Sequence, residues 1–93
     1  MPVELTDWDS AGHLRTKEDI AAYLEAAFED GDAALIAHAL GVVARAEGMT
    51  EVAKRAGLTR ASLCKALSGD GNPEFSTVLK VVQALGLKMT VAT

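Results

Sequence analysis

The sequence predicts an all-α domain of five helices closed by one short C-terminal β-strand, and three observations carry that expectation. The 93 residues are 49% hydrophobic, enough for one core and too few for two. The apolar content is mostly Ala, Leu and Val with only four aromatics, a bias that suits helices packed closely on one another. Along most of the chain apolar residues recur every three or four positions between capping residues and glycines, whereas the final stretch alternates.

Residues 1–15 read as an N-terminal extension, and residues 16–86 as the domain proper. Behind Thr16-Lys17-Glu18-Asp19, which offers a cap and first-turn acids, Ile20, Tyr23, Leu24, Ala27 and Phe28 mark an amphipathic helix that Gly31 ends. Asp32 caps a second helix, whose apolar face is Leu35, Ile36, Ala39, Leu40, Val43 and Ala46 and whose stop is Gly48. Two short helices follow, from Thr50 to Ala56 and from Arg60 to Leu67, joined by Gly57-Leu58-Thr59. Ser68-Gly69-Asp70-Gly71-Asn72-Pro73 is a loop. A fifth helix runs from about Glu74 to Leu85 with Phe75, Val78, Leu79, Val82 and Leu85 expected inward. Residues 87–93 are expected as a strand, because Leu87, Met89 and Val91 alternate with Lys88 and Thr90. A lone strand leaves its backbone groups unpaired. Its neighbour is Val3-Glu4-Leu5, the same strand of a second copy, or a strand of another protein.

The formal charge of −4 argues at first sight against a nucleic-acid partner, since DNA affinity comes largely from neutralised phosphates. The average hides a division. Residues 1–34 hold nine acids against Arg15 and Lys17, whereas residues 35–93 hold seven bases against four acids. The acidic half is either a solvated face or a surface for a basic partner. No stretch approaches the roughly 20 apolar residues of a membrane span, and the acidic start is unlike a secretory signal. No membrane partner is expected, and the chain is expected to stay in the cytoplasm. One cysteine, Cys64, excludes an internal disulfide and makes no zinc site by itself. His13 and His38 lack companions for catalysis or metal binding, and no phosphate loop or nucleophile motif is present. The expectation is a protein that is not an enzyme and uses no cofactor.

The motif with functional content spans residues 49–67. Two short helices cross at a steep angle only if their contact residues are small and the turn contains a glycine. Ala53 and Gly57 meet those needs, while Val52, Ala56, Leu58, Leu63 and Ala66 pack the corner and Thr59 caps the second helix. An ordinary helical hairpin is the plainer reading. A helix-turn-helix would send the second helix into the major groove of double-stranded DNA, N-terminus first. With Leu63 facing the core, Arg60, Ala61, Ser62, Cys64 and Lys65 lie on or beside the outward surface. Arg60 is the strongest base-contact candidate, because a guanidinium bonds guanine O6 and N7 together. Lys65, Thr59 and Ser62 are candidates for phosphates or base edges; Thr50, Lys54, Arg55, Asn72 and Thr77 for the DNA backbone. Arg45 is read as the anchor of a local ion pair, Cys64 as small filler, and Trp8 and Tyr23 as packing or interface residues.

Three runs resemble the addiction-module antidote proteins, HigA-like antitoxins of the Xre/Cro type. They are Leu40-Gly41-x-x-x-Arg45-Ala46-x-Gly48-Met49-Thr50, then Ala56-Gly57-Leu58-Thr59-Arg60-x-Ser62-Leu63, and above all Lys65-Ala66-Leu67-Ser68-x-x-Gly71-Asn72-Pro73-x-Phe75-x-Thr77-Val78. The opening Leu5-Thr6-x-Trp8-Asp9 and Leu14-x-Thr16-x-Glu18-Asp19-Ile20-Ala21-x-Tyr23-Leu24 are similar to the group's N-terminal pattern, so the resemblance covers nearly the whole chain. It implies a lambda-repressor-like DNA-binding domain, binding of operator DNA as a homodimer, repression of its own operon, and a small basic toxin partner of the RelE/ParE/HigB-like superfamily. Cys64 departs from the pattern, which usually carries a larger residue there, often tyrosine. Two rivals stand beside the antitoxin reading: a stand-alone Xre-type repressor with no toxin, and a protein-binding helical adaptor.

Overall fold

In the computed structural model the described residues are 16–68 and 72–93. Residues 1–15, with Val3-Glu4-Leu5 and Trp8, and loop residues 69–71 lie outside them. Thr16 opens the first helix, α1 (Lys17–Asp30). Its hydroxyl accepts the Asp19 N–H at 3.0 Å while the Asp19 carboxylate accepts the Thr16 N–H at 3.3 Å, a reciprocal cap that satisfies two otherwise unpaired donors. Asp32 does the same singly for α2 (Ala33–Glu47), accepting the Ala34 N–H at 3.0 Å. Gly48 both closes α2 and opens α3 (Met49–Ala56), and α4 (Arg60–Ala66) and α5 (Phe75–Ala84) follow.

The core forms around α2. Ala39, Leu40, Gly41, Val42, Val43 and Ala44 are all buried, so this helix is enclosed on every side along residues 39–44. It packs against α1, α3 and α5, while α3 also carries α4 and α5. From α1 come Ile20, Leu24 and Ala27, with Tyr23 and Phe28 half-buried beside them. Gly41 allows the closest approach: a Cβ there would stand 3.2 Å from the Leu67 carbonyl oxygen and 3.4 Å from the Arg45 guanidinium. The end of α4 therefore rests on a bare stretch of α2 backbone. Arg45 forms no ion pair among the described residues; its guanidinium lies beside Gly41 instead, correcting the expected local anchor.

Three expectations shift. Leu35 is 40% exposed and Ala46 exposed, because α2 reaches past the body at both ends, while Ala37, Val42 and Ala44 go inward. On α5 the buried arc is Val81, Val82, Ala84 and Leu85, with Val78 and Leu79 at its border; Phe75 is 66% exposed on a first turn that overhangs the core. The expected C-terminal strand is absent. Residues 87–93 form no ladder, since no described segment offers them an edge to pair with, although Leu87 and Met89 still pack on the core. Among the described residues no helix is long and apolar enough to cross a membrane.

Candidate nucleic-acid interface

The site begins with the turn between α3 and α4. Gly57 has φ 75°, the left-handed region, and its N–H closes back on the last turn of α3. The Leu58 N–H reaches the Ala53 carbonyl at 2.9 Å, so the helix ends on a wrapped-back pair of bonds rather than on open carbonyls. Two residues later Thr59 is extended and its hydroxyl accepts the Ser62 N–H at 3.0 Å, starting α4. The corner is filled by Val52, Ala53, Ala56 and Leu63, all buried, with Leu58 and Ala66 half-buried. Every apolar residue expected to pack this corner is in it.

α4 has seven residues, of which only Leu63 is fully enclosed. Arg60, Ala61, Ser62, Cys64 and Lys65 are all exposed. The helix thus hangs on one leucine, seconded by Leu67 just beyond its end, and shows the rest of its surface outward. That surface carries two bases and no acid. Ser62 keeps its hydroxyl available even though its N–H is spent on the cap, and Thr59 keeps its hydroxyl proton. On α3, Thr50 and Lys54 are exposed one turn apart and add a third base.

Not all the expected backbone-contact residues join this surface. Arg55 is engaged elsewhere: its Nε donates to Glu51 Oε2 at 3.2 Å and its Nη1 to the Ala84 carbonyl at 3.5 Å, tying α3 to the end of α5. Asn72 is exposed beyond the loop, with no hydrogen bond to α4, and Thr77 is half-buried in the first turn of α5. Two cavities, of about 240 and 300 Å³, lie around Arg55 and Gln83 at the end of α5, and no α4 residue lines either. The exposed side of α4 therefore lies outside both cavities. Gly41 is the contributor that the sequence reading missed. Its signal was a glycine inside an otherwise strongly apolar helix, which marks a close approach of something else.

The exposed side of α1 is acidic. Glu18, Glu25 and Glu29 lie exposed along one side of α1, Asp30 is exposed at its last residue, and Asp32 continues the charge past its end.

Comparison with known proteins gives a consistent answer over the full length. The chain is 46% identical over 91 residues to an uncharacterized protein of Haemophilus influenzae, an alignment covering 98% of this chain and 94% of the relative. No solved structure matches. The family model described as "Probable addiction module antidote protein" matches residues 4–93. Matched to one family over residues 4–93, the chain belongs to the probable addiction module antidote proteins.

Proposed function

We propose that this protein is the antitoxin of a type II toxin-antitoxin module that binds the operator of its own operon through α3 and α4, represses it, and neutralises a small basic toxin of the RelE/HigB-like superfamily by direct binding. The observation that carries the DNA half is α4: a capped helix, anchored by Leu63, whose exposed side carries Arg60 and Lys65 and no acid. Arg60 reads a guanine edge, Lys65 and Lys54 meet phosphates, and Thr50, Thr59 and Ser62 supply hydroxyl donors at the rim. Two copies present two such helices to half-sites about one DNA turn apart. The antidote half rests on the family and on the exposed acids of α1, since complementary charge speeds and orients the docking of a basic partner.

The test has two arms. Binding to the gene's own upstream DNA should weaken steeply as salt rises, and failure to retain any upstream fragment at low salt removes the repressor role. Co-expression with the product of the neighbouring gene should rescue growth and yield a complex. A demonstrably toxic neighbour that is not rescued removes the antitoxin role.

A further inference from the structure

The alternating C-terminal segment is unpaired among the described residues. The Leu87 N–H donates to the Val82 carbonyl at 3.2 Å as α5 closes, and no backbone group of residues 88–93 is hydrogen-bonded among the described residues. The burial nevertheless follows period two: Leu87 and Met89 are half-buried against the core, Lys88 and Thr90 exposed. Val91, next on the packed side, is 100% exposed. It extends the apolar row past the edge of its own body.

We propose that residues 87–91 pair antiparallel with the same five residues of a second copy, centred on Met89. In that register Met89 faces Met89, Leu87 faces the other copy's Val91, and Lys88 faces Thr90. All apolar residues share one face and all polar ones the other. The alternatives are worse for stated reasons. A one-residue slip sets apolar against polar side chains throughout. Centring on Lys88 opposes two like charges and draws Leu85, buried at the end of α5, into the ladder. Centring on Thr90 leaves Leu87 facing Thr93. The favoured register seats each Val91 beside a Leu87 that already rests on the other copy's core, which accounts for a valine with nothing to touch in one chain. The contact is isologous, as a twofold dimer requires.

This inference specifies the homodimer that operator binding calls for, but the pairing exists without DNA and is tested without it. Sedimentation of the full chain should show a monomer–dimer equilibrium. Val91→Lys, at a position that touches nothing in the single chain, should weaken the dimer about tenfold or more while leaving helical circular dichroism and thermal melting unchanged. Thr90→Lys should weaken it and Thr90→Glu strengthen it, each roughly three- to tenfold, because the Lys88–Thr90 pair occurs twice per dimer. A chain that stays monomeric overturns the inference, as pairing with residues 3–5 or with a foreign strand would. A dimer indifferent to Val91→Lys and to the sign of the charge at residue 90 overturns it equally. Loss of DNA binding in a parent chain that still dimerises would count against the operator reading alone.

Discussion

Arg60 carries the most chemistry per atom in the proposed interface. It is exposed at the first position of α4, and its backbone lies one residue past the Thr59 cap. Replacing it with alanine removes a bidentate donor without touching the corner packing, so the fold should persist while discrimination at one base pair falls by about 1–3 kcal/mol. A footprint identical to the parent's on wild-type and base-substituted operators would show that the reading head lies elsewhere. Arg60, Ala61, Ser62, Cys64 and Lys65 were legible as outward because Leu63 is the only large apolar residue in that short helix. Arg55 was not. A basic residue beside a turn reads as a phosphate contact until the structure shows Glu51 one turn back and a helix end within reach. Exposed pairs of this kind contribute at most about 0.5 kcal/mol, so Arg55 is a modest tether between α3 and α5.

At the scale of elements, what the sequence makes visible is whatever a helix needs locally. Thr16, Asp32 and Thr59 all cap as their positions suggest, and the glycines stop helices where periodicity ends. The α3–α4 turn depends on two of these devices, separable by experiment. Thr59→Ala should cost about 1 kcal/mol by leaving the Ser62 N–H without its acceptor. Gly57→Ala should cost about 1–2 kcal/mol for another reason: a Cβ there has open space around it but a left-handed backbone beneath it. Chemical denaturation of both single variants and the double checks the pair, and a stable Gly57→Ala variant would contradict the strain argument. The face of α5 was less legible. Its apolar residues cover more than half the circumference, so periodicity alone does not decide whether Phe75 or Val81 turns inward; the direction of approach of α2 and α3 does. The terminal strand was undecidable for a related reason, since a ladder is a property of two segments and the alternation of residues 87–93 does not say which segment is the second.

For the whole molecule the decisive contact is the one between Gly41 and the Leu67 carbonyl, because it sets how far the end of α4 stands from the central helix. Gly41→Val would push branched carbons into a space where a Cβ is already tight against backbone oxygen, and should cost about 1–3 kcal/mol. Any folded fraction should bind operator DNA more weakly than the parent chain with Gly41 in place, since α4 must move to admit the side chain. Thermal melting and binding measured on the same samples check both parts, and an unchanged melting temperature with unchanged affinity would refute them. Charge is organised at this scale too, with the acids of α1 and the bases of α3 and α4 on separate elements, and this division was visible from composition once the chain was read in halves.

The enclosure of α2 and the single-leucine anchorage of α4 have a consequence for timing. Amides in the middle of α2 are reachable by solvent only when the whole domain opens, whereas α4 is released once Leu63 leaves its pocket and the Leu67 contact parts. Hydrogen exchange should therefore be slowest at residues 39–44 and markedly faster across residues 60–66. A ligand held by α4 would slow that rim toward the rate of the centre, so that the molecule reports occupancy of its outer helix through the lifetime of a few amide protons.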